Sequence, residues 1–345
     1  MANTGKPLIR ALQGERVRPV PFWLMRQAGR YLPEYRALRE KAGGFLDLCY
    51  APELAAEVTL QPIRRYGMDG AILFADILLV PQGMGQKLWF EVGEGPRLTP
   101  VRNRQDVEAL RPEDVVGKLA PVYEAASRVA KSLPEQTALI GFAGAPWTVA
   151  TYMVEGSSSR EYAKVKEWAF GDPAGFGLVI DRLVEATIAH LNAQIAAGVN
   201  AVQIFDTWAG IVPEDAFDRL VIAPTQRIVA GIRKVHPDIP IIGFPRGIGA
   251  NYARYFRETG INALSIDSSM DLDVVTKELQ PIGAVQGNLD PNVLLAGGVA
   301  MDQTVTTILD KLGKGPFVFN LGHGVLPPTP VEHVARLAEL IRAHG

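Results

Sequence analysis

Eight short apolar runs, spaced by segments with the period of helices, constrain this 345-residue chain more than any other feature. They fall at residues 20–24, 70–74, 138–142, 201–205, 240–244, 263–266, 282–286 and 317–320. Each is continuously apolar rather than alternating, the pattern of parallel strands covered on both faces. Between them, residues 52–66 and 178–197 read as helices; in the second, Ile180, Val184, Ile188, Leu191 and Ile195 recur three or four apart. Pro52 and Pro330 stand where helices would begin, and Gly67, Gly198 and Gly260 where they would end.

A weak internal repeat supports the same plan. Gly67-Met-Asp-Gly-Ala-Ile-Leu-Phe-Ala-Asp76 resembles Gly198-Val-Asn-Ala-Val-Gln-Ile-Phe-Asp206 and Gly260-Ile-Asn-Ala-Leu-Ser-Ile-Asp267. Each has a helix-ending Gly, a polar turn residue, a buried strand, then an Asp at the strand's C-terminal end. Repeated αβ units without a dinucleotide-binding glycine fingerprint favour closure over a doubly wound sheet. The expectation is an α/β fold, a (β/α)8 TIM barrel with loop insertions at 82–111 and 154–176, forming one domain over 1–345.

Composition excludes several function classes. A formal charge of −2 gives no global field for nucleic acid or an acidic membrane, so an anionic ligand must be met by a local cluster of bases. Cys49 is the only cysteine, which rules out an internal disulfide or a multi-cysteine metal site and fits a reducing cytosol. The first twenty residues lack the apolar core of a signal peptide, and no run reaches the roughly 20 residues of a membrane span. A cytoplasmic protein is expected.

Barrel active sites lie at strand C-termini. Polar and Gly-rich residues crowd those ends here, among them Met25-Arg26-Gln27-Ala28-Gly29-Arg30, Asp76, Asp206-Thr207-Trp208, Pro245-Arg246-Gly247, Asp267 and Gly322-His323-Gly324. From Arg26 to Lys41 there are five bases (Arg26, Arg30, Arg36, Arg39, Lys41) against two acids. Arginine forks match carboxylates and stay charged when desolvated. Arg26 and Arg30, just after an apolar run, read as ligand contacts; Arg36, Arg39 and Lys41 read as a solvated helix face. Asp76, flanked by apolar residues, must be partnered or neutralised, and its place suits an acceptor for ligand N–H groups. Asp206 and Asp267 are divided evenly between capping and binding. His323, between two glycines, suits carboxylate contact or proton exchange. His190, His236 and His333 are expected at the surface. Tyr152 and Thr207 add hydroxyls. No Walker loop, His-Glu-x-x-His or Gly-x-Ser-x-Gly is present.

These segments resemble the uroporphyrinogen decarboxylase family. The resemblance runs through Pro21-Phe-Trp-Leu-Met-Arg-Gln-Ala-Gly-Arg-Tyr-Leu-Pro-Glu-Tyr35, Phe74-Ala-Asp-Ile77, Gly141-Phe-Ala-Gly-Ala-Pro-Trp-Thr148, Tyr152-Met-Val-Glu-Gly156, Phe205-Asp-Thr-Trp-Ala-Gly210, Gln286-Gly-Asn-Leu-Asp-Pro291 and Asn320-Leu-Gly-His-Gly324. It implies a homodimeric lyase without cofactor or metal that converts uroporphyrinogen III, a polyanionic tetrapyrrole, to coproporphyrinogen III by removing four acetate carboxyls, in haem and porphyrin biosynthesis. Matched by motif, Arg26, Gln27, Ala28, Gly29, Arg30, Tyr35, Asp76, Tyr152, Thr207 and His323 would bind substrate, with Asp76, Arg26 and Arg30 catalytic. Thr207 departs from the family's usual Ser but keeps the hydroxyl. Two alternatives stand beside this reading: a zinc-dependent corrinoid methyltransferase on the same barrel, disfavoured by the single cysteine, and a non-catalytic tetrapyrrole binder.

Overall fold

The computed structural model describes residues 5–91 and 95–344, so part of the first insertion, 92–94, lies outside the described residues. The strands are β1 (Gly70–Ile72), β2 (Leu88–Glu91), β3 (Gly95–Leu98), β4 (Ala138–Gly144), β5 (Ala201–Asp206), β6 (Ile241–Pro245), β7 (Ala263–Ser265), β8 (Ala284–Leu289) and β9 (Phe317–Leu321). Seven of them pair in the order β1-β4-β5-β6-β7-β8-β9, parallel throughout; β2 and β3 make a separate antiparallel ribbon in the first insertion. Helices follow the strands, which makes the chain an α/β fold with a curled parallel sheet.

Both faces of that sheet are apolar, as continuous runs require. Ile72, Ile140, Phe142, Ile242, Phe244 and Val318 point inward and form one cluster. Their neighbours Leu139, Val202, Ile204, Ile241, Leu264, Val285 and Phe317 point outward against the helices in another. Alternation along a strand therefore separates a lumen from an outer layer.

The eighth run corrects the expectation. Residues 20–24 form no strand; a single parallel bridge joins Phe22 to Phe319. Two things prevent a ladder here. Pro19 and Pro21 have no N–H to donate, and the Phe22 N–H goes to the Asp69 carboxylate (Oδ2, 2.9 Å) instead of a strand carbonyl. The segment still bonds on both sides: Trp23 N–H to Phe319 O at 3.3 Å, Phe319 N–H to Pro21 O at 2.9 Å, and Asp69 N–H to Phe22 O at 2.9 Å.

The expected helix at 52–66 is present as Pro52–Tyr66, ending at Gly67 with φ 61°. Its longer counterpart begins earlier than read, at Pro173, because Asp172 caps it by accepting the Gly175 N–H at 2.9 Å, and it runs to Ala196. Its buried face is also wider than the apolar stripe implied. His190, expected at the surface, is 3% exposed. The Tyr123 hydroxyl lies 3.0 Å from its Nδ1, Gln194 Nε2 lies 2.7 Å from its Nε2, and burial lowers its pKa to about 4. Gln194 in turn holds both the N–H and the carbonyl of Phe142 on β4. Polar partners inside, not apolarity, put His190 there. Among the described residues no helix is long and apolar enough to cross a membrane.

The two ends of the lumen differ. At the N-terminal end, helix α1 (Pro7–Leu12) inserts Leu8, Ile9, Ala11 and Leu12 among Ala138, Ala201, Ala263 and Ala284, the first residues of four strands. Gly70 opens β1 at the same level; a Cβ there would stand 3.1 Å from Leu8 Cδ2 and 3.1 Å from Trp23 Cβ. Small residues at strand starts thus make room for the plug. Above it a polar chain crosses the lumen: Trp23 Nε1–H donates to Gln286 Oε1 (2.8 Å), and Gln286 Nε2 donates to Gln203 Oε1 (2.9 Å) and Ser265 Oγ (3.1 Å). The C-terminal end is open.

Candidate functional site

That open end is built first around a turn. Gln27 is fully buried; its Oε1 accepts the Leu24 N–H at 3.0 Å and its Nε2 donates to Gly70 O at 3.0 Å, while its own N–H bonds back to Leu24 O. Met25 is pinned too, its N–H on Asn320 Oδ1 and its carbonyl on the Val325 N–H. Between these fixed points Arg26 is forced into the left-handed region, φ 61°. For a residue with a long side chain that costs roughly 1–2 kcal/mol. The strain aims the exposed Arg26 side chain along the mouth, over Gly324, where any Cβ would overlap it. The Gln27 amide therefore positions the loop rather than facing a ligand. Ala28 packs against the core, and Gly29 turns the chain so that Leu32 N–H reaches its carbonyl.

Asp76 lies four residues beyond β1, half-buried. Its Oδ1 accepts the Leu78 N–H at 2.8 Å. Burial lifts its pKa to about 6, opposed by that bond and by the charge of Arg26. The carboxyl is thus ionised at neutral pH yet poised to take a proton below it. Tyr152, on the helix Pro146–Glu155, feels both Asp76 and Arg26; burial raises its pKa, and a hydrogen bond with Trp208 partly offsets this. His323 follows β9. Burial, then the charges of Arg26 and Arg246, lower its pKa to about 4. It is neutral at physiological pH. Its Nδ1 accepts the Gly324 N–H at 2.7 Å, which assigns the ring proton to Nε2 as a donor. Arg26, Asp76, Tyr152 and His323 therefore share one mouth.

Arg30 stands farther round the rim. Its charge reaches Tyr35, which is buried against Phe74 with ring centroids 5.8 Å apart. Arg36 donates to the Arg30 and Tyr31 carbonyls and is structural. Arg39, read from sequence as solvated, is half-buried: its guanidinium lies 5.3 Å over the Phe45 ring, its charge reaches Tyr35 and Cys49, and its Nη1 is buried without a partner. A buried guanidinium nitrogen facing no acceptor is an anion-seeking group that helix spacing alone could not reveal.

The floor also escaped sequence reading. Phe142, Phe205 and Phe244 pack edge-to-face, with centroids 5.6 Å and 6.0 Å apart, and His323 lies 6.3 Å from Phe244. Inward alternation on three adjacent strands was the available signal. Thr207 is partly exposed just past β5, one residue on from Asp206. Asp206 itself faces outward with Val202 and Ile204: Thr148 Oγ1 donates to it at 2.5 Å, and burial lifts its pKa to about 7. Asp267 is fully engaged by the Gly247 N–H (2.7 Å), the Tyr252 hydroxyl (2.7 Å) and both the N–H and hydroxyl of Ser269 (2.8 and 2.5 Å). Burial works to raise its pKa, but those bonds prevail and hold it below the usual range. Neither acid faces the mouth as Asp76 does. Among the described residues no three His, Cys, Asp or Glu side chains gather as a metal-binding group. Cys49 is buried, with its thiol pKa pushed well up by desolvation.

Fold and site together define a class: a parallel α/β scaffold whose strand C-termini gather arginines, aromatic rings and, turned toward the mouth, the carboxylate of Asp76 with its raised pKa. Residues 3–344 match the family described as uroporphyrinogen decarboxylase (URO-D). The uroporphyrinogen decarboxylase of Rhodospirillum rubrum is 54% identical over 342 residues, covering 99% of this chain and 98% of that protein. That of Sphingopyxis alaskensis is 52% identical over 342 residues, covering 99% of each. This chain belongs to the uroporphyrinogen decarboxylase family. A methyltransferase from Methanosarcina mazei has a similar fold, with TM-score 0.79 over 98% of this chain and 97% of its own, at 19% identity. That likeness concerns architecture alone.

Proposed function

We propose that this chain is a uroporphyrinogen decarboxylase that removes the four acetate carboxyls of uroporphyrinogen III to give coproporphyrinogen III and CO2. One observation supports this most: Asp76, its pKa lifted to about 6 by burial, lies in the field of Arg26 past the C-terminal end of β1, in the same sheet whose strands β4, β5 and β6 carry the inward Phe142, Phe205 and Phe244. A reduced tetrapyrrole has a flat apolar body, N–H groups at its centre and carboxylates at its rim. Phe142, Phe205 and Phe244 suit the body, Asp76 the N–H groups, and Arg26, Arg30 and Arg39 the rim. Ala28, Gly29, Tyr35, Tyr152, Thr207 and the Nε2–H of His323 complete the contacts, while Gln27 acts through the turn it holds.

The chemistry needs no external electron sink. Protonation of a pyrrole carbon beside the acetate-bearing carbon makes the ring cationic. The bond between acetate methylene and carboxylate then breaks, its electron pair enters the ring, and CO2 leaves. The methylene carbon takes a proton and the ring carbon loses its own, leaving a methyl group; each round consumes one proton. Asp76 as carboxylate stabilises the cation electrostatically. Arg26 and Arg30 orient the reacting carboxylate, and a guanidinium or a water held by it delivers the proton.

We read 1–345 as one catalytic domain, with residues 20–24 completing an eight-membered barrel through their bonds to Asp69, just ahead of β1, and to β9. Homodimer assembly and a cytoplasmic location follow from the family; no nucleic acid, membrane, metal or cofactor is invoked. Anaerobic incubation of the purified chain with uroporphyrinogen III, followed by chromatography, tests the activity. The heptacarboxylate to tetracarboxylate series should form; an unchanged octacarboxylate would overturn the proposal and favour a non-catalytic binder.

A further inference from the structure

We infer that Arg246 is a second carboxylate clamp for the macrocycle, gripping its rim on the side of the mouth opposite Arg26. This inference rests on the proposed activity and adds a residue to that site.

Backbone geometry places it. The Arg246 N–H bonds to Asp206 O at 3.0 Å, so the β5–β6 ladder continues one residue past Pro245. Ile242 and Phe244 point into the lumen, and alternation sends Arg246 the same way, above the Phe244 ring. In sheet order β6 is the middle strand of seven, whereas Arg26 follows the segment bridged to β9 at the sheet's edge. The two guanidiniums therefore approach from opposite walls, with His323 in the field of both.

Its turn is rigid and its charge is unmatched. Gly210 N–H bonds to Arg246 O at 3.0 Å, and Asp267 Oδ2 holds the next residue's N–H at 2.7 Å. This gives the four-bonded Asp267 a purpose: it fixes the loop that presents Arg246. Elsewhere arginines meet acids, as Arg227 meets Asp181 and Arg336 meets Asp302. Half-buried Arg246 has no carboxylate partner among the described residues. A partly desolvated guanidinium on a fixed turn beside an apolar floor is matched by an anion brought in by the ligand. A macrocycle bearing carboxylates around its whole circumference can meet both clamps at once, which a ligand with one anionic end cannot.

The test uses Arg246→Gln and Arg246→Lys in the full chain. Binding of uroporphyrin, the unreactive oxidised octacarboxylate, is measured by tryptophan quenching; KM and kcat are measured with uroporphyrinogen; Tm monitors folding. Arg246→Gln should weaken uroporphyrin binding about tenfold or more, as loss of one charged hydrogen-bonded contact does. KM should rise by more than kcat falls, the salt dependence of binding should flatten, and Arg246→Lys should recover part of the affinity at unchanged Tm. Wild-type affinity in Arg246→Gln would overturn the clamp. So would a lowered Tm with kcat loss that Lys does not relieve, since that marks a purely structural residue. Because uroporphyrin binding needs no turnover, the two proposals fail separately. A wild-type chain that leaves uroporphyrinogen intact, yet loses uroporphyrin affinity on Arg246→Gln, refutes the reaction and keeps the clamp.

Discussion

The plugged and the open ends of the lumen are made from the same strands, yet their residues obey opposite rules. At the plugged end, alanines and a glycine meet the apolar face of α1. At the open end an arginine is held in a strained backbone conformation, a carboxyl is partly desolvated, and a guanidinium nitrogen is buried without partner. Stability is concentrated where the sequence is bland, and function where local rules are broken.

Four experiments can break or sharpen this contrast. The largest effect belongs to Asp76→Asn, which keeps shape but removes the charge. Turnover of uroporphyrinogen should fall about a thousandfold, near 4 kcal/mol of transition-state stabilisation, with Tm unchanged or raised because a partly desolvated carboxylate is gone. Activity within tenfold of wild type would refute the assigned role. Leu8→Ala is the counterpart at the other end: stability to urea should drop by about 3 kcal/mol, while kcat of the folded fraction stays near wild type. A selective loss of kcat would mean that the ends are coupled. Next comes Gln27→Ala, which leaves the Leu24 N–H and Gly70 carbonyl unpaired. A loss of about 2 kcal/mol in urea stability should accompany a raised KM, because Arg26 loses its frame.

The smallest effect is a pH shift. In the proposed mechanism Asp76 acts as its carboxylate, so kcat/KM should rise with pH through about 6. Arg26 lowers the Asp76 pKa, so Arg26→Gln should move that acid limb to higher pH along with its loss of rate; a downward shift would contradict the geometry. The linkage signs also separate the two groups. Asp76 has a raised folded pKa, so its contribution to stability falls as pH rises from 3.8 to about 6. His323 has a depressed one, so its contribution is lost as pH falls from 6.5 to about 4.

Much of this was legible in the sequence, for identifiable reasons. Continuous apolar runs marked the seven strands, and polar residues after them marked the mouth, where Arg26, Asp76, Tyr152 and His323 converge. The repeated strand-Asp unit left Asp206 and Asp267 evenly divided between capping and binding because it fixes sequence position, not direction. Asp206 is the last residue of β5 and has outward parity, while Asp76 lies on a loop beyond β1 and turns inward. Residues 20–24 are apolar enough for a strand, but a tertiary contact with Asp69 took the donor that a ladder needed. Arg39 and His190 sit on helices where a charge or an imidazole normally faces water; only the packing of neighbouring elements shows that neither does.

The Arg26 turn carries one consequence for how the molecule is made. Its supports are Asn320, Val325 and Gly70, and the strand bridged to its preceding segment is β9. During synthesis Arg26 thus waits for Asn320 and Val325, far along the chain, before its geometry exists. A nascent chain short of its C-terminal strand can hold the carboxyl of Asp76 and the phenyl floor, but not the guanidinium that works with them. Binding competence should appear only once β9 and the residues just after it have been made.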